Sequence, residues 1–242
     1  MAADNDAQSL AAFARTKGPS PKIIFITHAH PDHFVGLSVL KKEYPDAKIL
    51  VATQQIKDDI ISIASQKWMD KDMQPKSPDN PTGFDYQKDI SILDSKTLTL
   101  PGGAVLQVIT DFPPTEAAHE TLLYSKDLNS LFASDLVYNK VHLWLAGGVT
   151  LEAIKNWQTQ LSRLKKTYPK AKVYPGHGQP TDSTIFDIDK KYIDDLLSSV
   201  KTSTTEDQVK KLIIEKYPDW ANTDFILVQS IKTQTKALTP KE

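Results

Sequence analysis

The chain has 242 residues, 40% of them hydrophobic, with 29 basic and 30 acidic side chains and a formal net charge of −1. That is enough apolar material for one buried core plus an appendage, and no apolar run approaches the ~20 residues that cross a bilayer. Arg15 and Arg163 are the only arginines, and lysines are interspersed with acids, so no electrostatic footprint for nucleic acid is visible. Cysteine is absent and the opening Met1-Ala2-Ala3-Asp4-Asn5-Asp6 is polar, which fits the cytoplasm, although export after removal of a signal would leave the same pattern.

In chain order, residues 6–16 are expected to be helical and Ile23-Ile24-Phe25-Ile26 to be a buried strand. A short helix is expected over Leu37–Lys42, a strand over Lys48–Val51, and a longer helix over Gln54–Trp68, with Ile56, Ile60, Ile63 and Ala64 at helical spacing. The Pro- and Asp-rich stretch Asp72–Gln87 reads as a loop that either overhangs a site or is a plain surface insertion. Thr97–Leu100 and Ala104–Thr110 form a hairpin around Pro101-Gly102-Gly103, and two more strands bracket Lys126–Asn129. Thr150 caps a helix whose Leu151, Ile154, Trp157, Leu161 and Leu164 make one apolar stripe. Residues 181–242 read as helices, with a capping box at Ser203-Thr204-Thr205-Glu206 and Val209, Leu212, Ile213 and Tyr217 on one face.

The chemistry is concentrated after the first strand. Thr27-His28-Ala29-His30-Pro31-Asp32-His33 places three imidazoles and a carboxylate within six residues. In a loop leaving a strand, His28 and His30 can point one way while Asp32 and His33 turn to another, so one segment can serve two ions. Metal–ligand bonds of about 2 Å require such crowding. Three more donors lie at strand edges further on: His119 in a turn-rich stretch, Asp135 after Leu131-Phe132-Ala133-Ser134, and His177 in Pro175-Gly176-His177-Gly178. A Ser-His-Asp hydrolase is the rival for an α/β chain, but no Gly-x-Ser-x-Gly elbow occurs.

In order and spacing, His28-x-His30-x-Asp32-His33, His119, Asp135 and Pro175-Gly176-His177-Gly178 resemble the metallo-β-lactamase-fold hydrolase superfamily, over about Lys22 to Gly178. The resemblance implies an α/β fold of the four-layer αββα sandwich type. It also implies a catalytic domain over residues 1–180, with residues 181–242 as a helical extension packed on it. His28, His30 and His119 would hold one metal, Asp32, His33 and His177 a second, and Asp135 would bridge them. Zinc is the leading metal, with iron or manganese as alternatives. True β-lactamases of the superfamily lack the bridging aspartate, and their best-known branch uses a cysteine, so this chain is more similar to the lactonase, thioesterase and glyoxalase II-like branches.

The function these residues imply is binuclear metal-dependent hydrolysis of a lactone, ester or thioester. A metal-bridging hydroxide would be the nucleophile, with Asp32 and Asp135 as catalytic residues. Tyr138 and His142 are candidates for substrate contact, with packing as the alternative for His142. Trp220 and Phe225 are candidates for shaping the pocket or for packing, the latter against the core or a second copy in a homodimer. A mononuclear iron oxygen-using enzyme, or a metal-binding protein of the same fold, is the alternative, and β-lactam hydrolysis would be a side activity. The superfamily fold normally has several strands ahead of the metal-ligand strand, whereas about 22 residues precede Ile23, so that part of the sandwich is expected to be shortened.

Overall fold

The computed structural model describes residues 4–66 and 84–238. The chain divides into two units, one of Met1–Thr110 with His119–Thr121, the other of Asp111–Ala118 with Leu122–Glu242.

In the first unit, the apolar, β-branched runs β1 (Ile23–Ile26), β2 (Lys48–Val51) and β3 (Ile90–Ile92) pair in parallel in that order. The register sets Ile24 beside Ile49 and Ile49 beside Ile90. Parallel neighbours need crossovers, and helices are found in each: α2 (Pro31–Phe34) and α3 (Leu37–Glu43) after β1, α4 (Gln54–Ala64) and α5 (Tyr86–Asp89) after β2. Phe34, Leu37, Ile49, Val51, Ile56, Ile60, Tyr86 and Ile90 form the core beneath them. A preceding helix, α1 (Asp4–Arg15), buries Ala7 and Ala11 against Leu40 and Tyr44, and the Tyr44 hydroxyl donates to the Ala11 carbonyl at 2.6 Å. Among the described residues before Ile23 there is this helix and no strand.

The helix expected over Gln54–Trp68 stops at Ala64, with Ser65 as its C-cap, and Trp68 lies outside the described residues. Residues 72–83 of the expected loop also lie outside them, while Tyr86 and Gln87 open α5, whose N-cap Asp85 accepts from the Lys88 N–H at 3.1 Å. The expected hairpin is present as β4 (Thr97–Thr99) antiparallel to β5 (Val105–Ile109).

In the second unit, β6 (Leu122–Ser125), β7 (Ser130–Asn139), β8 (Lys172–Gly178) and β9 (Thr181–Asp182) are ordered as numbered. Strands β7 and β8 run parallel, joined through α6 (Leu151–Thr167). Thr150 caps α6 as expected, accepting from the Ala153 N–H at 3.1 Å. Ile154, Trp157, Leu161 and Leu164 are buried, and the Trp157 indole donates to the Leu136 carbonyl at 2.9 Å. Leu151 does not belong to that stripe: in the first turn it sits at the outer edge, exposed.

Helices α7 (Ile185–Thr202), α8 (Glu206–Lys216) and α9 (Ile226–Leu238) complete this unit, with α7 packed on β7 and on α6, α8 and α9. The N-terminal cap of α8 lies two residues after Ser203, the first residue of the expected box. Ser203 already serves as the C-cap of α7, its N–H bonded to the Ser199 carbonyl, so Thr205 takes the role and accepts from the Gln208 N–H at 3.3 Å. Val209 and Ile213 are buried on α8, whereas Leu212 faces outward. No described helix is long and apolar enough to cross a membrane.

Candidate metal centre

The first unit gathers its donors at the carboxyl end of β1, the end of a parallel strand where ligands are bound in α/β sheets. The backbone of His28 bridges to Glu120, and the Thr121 N–H donates to the Thr27 carbonyl at 3.0 Å, which fixes the chain as it leaves the strand. His30 is the N-cap of α2 and Pro31 stands at its first position, where proline's missing N–H costs nothing. Asp32 and His33 therefore lie on a helical turn and not in an open loop. That turn brings the imidazoles together, with the His28 ring centroid 4.8 Å from that of His30 and 4.2 Å from that of His33. Ligand atoms of His28 and His30 approach within 4.8 Å, as do those of Asp32 and His33. The four donors thus divide into two pairs, His28 with His30 and Asp32 with His33, as the spacing predicts. His28 is fully buried, and the other three are part-buried.

The second unit gathers its donors where β7 meets β8. Asp135 does not follow a short strand: it lies inside the ten-residue β7, in a stretch where the pairing with β8 shifts register between Phe132 and Ser134 and again between Ser134 and Tyr138. Ser134 takes φ +48° there. This irregularity, with three residues of β7 left out of step, is what lets an acid inside a strand stand beside its neighbour. His177 likewise sits within β8 and not in a bend after it, paired with Tyr138. Its Nε2 is 3.2 Å from Asp135 Oδ2, and its ring stacks on Tyr138 at 4.9 Å. Gly176 makes the approach of β8 feasible, because a Cβ there would come within 1.8 Å of Asp135 Oδ1.

Sequence reasoning missed Glu116. It is 3% exposed, a ligand oxygen lies within 4.8 Å of one on Asp135, and the Tyr138 hydroxyl reaches both acids, at 3.4 Å to Glu116 and 3.0 Å to Asp135. The only available signal was its place three residues before His119 in the same turn. His119 itself is not brought into the cluster. Its Nδ1 pairs with Asp59 of α4 at 2.7 Å, and its side chain is 46% exposed.

The two residues expected to contact substrate are both buried. Tyr138 stands behind the donors, with its hydroxyl on the carboxylates. Its N–H donates to Asp189 Oδ2 at 2.9 Å, and burial drives the Asp189 carboxyl well above the usual carboxylate range. Asp189 could have been found in the sequence as an acid on the apolar stripe of Ile185, Tyr192, Ile193 and Leu196. His142 is packed against Tyr192 and Trp220, with Nδ1 3.0 Å from the Tyr192 hydroxyl, and burial pushes its pKa down to about 4. A pocket-lining role for His142 gives way to packing, the alternative for this residue, because Tyr192 of α7 and Trp220 beyond α8 enclose it. Trp220 belongs to the same packing, whereas Phe225 is exposed and stacks on Trp144.

The donor chemistry suits divalent cations. The first unit offers three imidazoles and Asp32. The second offers His177 with two buried carboxylates held close together, an arrangement that like-charge repulsion opposes and a cation favours. The cradle at Gly176, which a methyl group would fill, keeps one of those carboxylates against β8.

The model of the metallo-beta-lactamase superfamily matches residues 2–177. A beta-lactamase domain protein from Burkholderia ambifaria is similar in structure at a TM-score of 0.63 and 14% identity, over 93% of this chain and 71% of that one. A metallo-beta-lactamase family protein from Thermus thermophilus gives 0.61 at 16% identity, over 94% and 78%. A metallo-beta-lactamase from Pontibacter korlensis gives 0.51 at 21%, over 77% and 76%. These likenesses identify the fold as the α/β, αββα type. No curated protein matches the chain.

Proposed function

The chain belongs to the metallo-beta-lactamase superfamily, whose members are generally hydrolases, and from that premise we propose that it is a metal-dependent hydrolase of acyl bonds in a lactone, ester or thioester. The observation that carries this reading is buried Asp135 beside His177 in a chain without cysteine. An aspartate that can bridge two ions favours general acyl hydrolysis over the cysteine-containing β-lactamase pattern. In this proposal the donors are His28, His30, Asp32 and His33 in the first unit and Asp135 and His177 in the second, and the ions are divalent, zinc first among them. When bound, such ions polarise a carbonyl oxygen and lower the pKa of water.

The chain's own residues support that chemistry in distinct ways. Asp32 and Asp135 supply negative charge and orient water. Tyr138 holds Asp135 by a hydroxyl hydrogen bond at 3.0 Å and stacks on His177, so it positions two donors at once. Asp189 in turn fixes the Tyr138 backbone. A small acyl compound is the proposed substrate, and the balanced charge and scarce arginine argue against a nucleic acid.

The test is metal content of the purified protein by mass spectrometry, followed by a panel of lactones, aryl esters, thioesters and β-lactams. About two equivalents of metal are expected, with turnover of at least one acyl class that His28→Ala and Asp135→Ala abolish along with bound metal. Undiminished hydrolysis by either variant overturns the mechanism. Turnover confined to β-lactams overturns the substrate class.

A further inference from the structure

We infer that Asp189 of α7 and Trp157 of α6, neither of them a metal donor, are positioning residues for the second unit's donors: together they hold β7 in the bulged shape that sets Asp135 beside His177. The inference rests on the metal-hydrolase reading above and adds to it the helices that shape the donor set.

The bulge is large for its place in a sheet. Between the pair of Ser134 with Pro175 and that of Tyr138 with His177, β7 has three residues, 135–137, where β8 has one, Gly176. A regular ladder cannot run across that mismatch, so buried backbone groups there need partners from outside the strand pair. Two helices supply them. The Trp157 indole N–H donates to the Leu136 carbonyl at 2.9 Å, and Asp189 Oδ2 accepts from the Tyr138 N–H at 2.9 Å. Leu136 directly follows Asp135 and Tyr138 lies three residues after it, so the two bonds fix β7 from the donor onward.

Both side chains are placed for this role and for little else. Each is fully buried, with α6 packed on α7 and α7 packed on β7. Asp189 lies among Ile185, Phe186, Tyr192 and Ile193 of its helix, where an acid is an expensive choice for packing. Its Oδ1 has no hydrogen-bond partner among the described residues, which leaves the Tyr138 N–H as the one bond the carboxyl makes.

The bulge is tied in turn to both donors. Tyr138, fixed through its backbone, donates its hydroxyl to Asp135 Oδ2 at 3.0 Å and stacks its ring on His177 at 4.9 Å. On the other side Asp135 has no room to retreat, because β8 approaches so closely at Gly176 that even a Cβ would overlap the carboxylate. A small shift of β7 therefore moves Asp135 and His177 relative to each other, and metal–ligand distances tolerate only about 0.2 Å.

The experiment compares wild type with Asp189→Ala, Asp189→Asn, Trp157→Phe and Thr150→Ala. Each is stripped of metal and titrated with zinc by calorimetry, and a cobalt(II) absorption spectrum and a melting temperature are recorded, so no reading depends on turnover. Asp189→Ala removes the acceptor from the Tyr138 N–H, and Trp157→Phe removes the donor to the Leu136 carbonyl while keeping an aromatic ring. Each is expected to weaken zinc binding by about tenfold or more and to alter the cobalt spectrum. Asp189→Asn, whose amide oxygen can still accept, is expected to keep wild-type affinity and spectrum. Thr150→Ala takes the cap from α6 without touching the bulge, and is expected to lower the melting temperature and leave both metal readings unchanged. Wild-type affinity and spectrum in either Asp189→Ala or Trp157→Phe overturns the inference and leaves the metal-hydrolase reading standing. A loss of affinity in Thr150→Ala as large as theirs does the same, since it would trace the effect to general destabilisation. If Asp189→Ala does not fold, Trp157→Phe against Thr150→Ala still decides. A wild type that binds no metal overturns the metal-hydrolase reading, and the inference with it.

Discussion

Gly176→Ala isolates the contact between β8 and Asp135. The backbone at 176 is not in the left-handed region, so alanine is conformationally allowed and the effect is steric. The added Cβ would meet Asp135 Oδ1 at 1.8 Å, Asp135 Cγ at 2.9 Å and the Ser134 carbonyl carbon at 2.8 Å. Ordinary carbon contacts begin near 3.4 Å, so the carboxylate has to retreat by 3.4 − 1.8, or 1.6 Å. Backbone at Ser134 cannot yield as a flexible side chain would, so β8 must also back away from β7. Overpacking of this kind costs about 1–3 kcal/mol, which for a chain of this length lowers the melting temperature by roughly 2–12 °C. Metal–ligand distances tolerate only about 0.2 Å, so the displacement should also reduce metal affinity by about tenfold or more. Differential scanning fluorimetry and metal titration by calorimetry would read the two effects. Gly103→Ala in the β4–β5 hairpin is the control, since φ is +91° there but nothing lies within 4 Å of the added Cβ; it should lower stability and leave metal binding alone. A Gly176→Ala protein with wild-type melting temperature and wild-type metal affinity would refute the close-approach argument.

The buried, neutral His142 should make stability fall on acidification. Its folded pKa of about 4 lies below the ordinary value of 6.5, so the unfolded chain binds the proton first. Stability is whole above pH ~6.5 and declines as the pH drops toward 4, by about 1–2 kcal/mol at pH 5. Denaturant melts at pH 7.5 and 5 should show that decrement in wild type, and His142→Gln should show a smaller one; equal decrements would remove His142 as the source. Asp189→Asn should be nearly neutral in urea melts, because burial disfavours the charged carboxylate and an amide oxygen can still accept from the Tyr138 N–H. Asp189→Ala orphans that buried N–H and should cost about 1–3 kcal/mol, so similar losses for Asn and Ala would argue against a neutral acid. Thr150→Ala removes the cap of α6 and should cost about 0.5–2 kcal/mol by thermal melting, and no change would mean that the cap is replaced by solvent.

Local pattern made some of this protein legible before its structure. Four consecutive apolar residues announced β1, Thr150 announced α6, and the Gly102-Gly103 pair announced the hairpin, because strand patterning, helix capping and turn chemistry each act within a few residues. Other expectations failed where a neighbour already held the group in question. Ser203 could not begin the capping box of α8 because it ends α7, and Leu151 fell outside the stripe of α6 because it lies in the outer first turn. His142 reads as a free imidazole until α7 and Trp220 enclose it.

The sequence alone determined the donor types and their clustering: His28, His30, Asp32 and His33 are neighbours in the chain, and no fold could separate them far. It also determined that they follow a strand, one that the structure shows only partly buried, with Ile26 its one buried residue. Only the tertiary structure decided that Asp135 and His177 lie inside paired strands, brought together by two register shifts and the missing side chain of Gly176. It also decided that a turn buries Glu116 beside Tyr138 while His119, three residues on, faces Asp59. The physical reason is range: a residue's chemistry is local, whereas burial and partnership depend on what distant segments place against it.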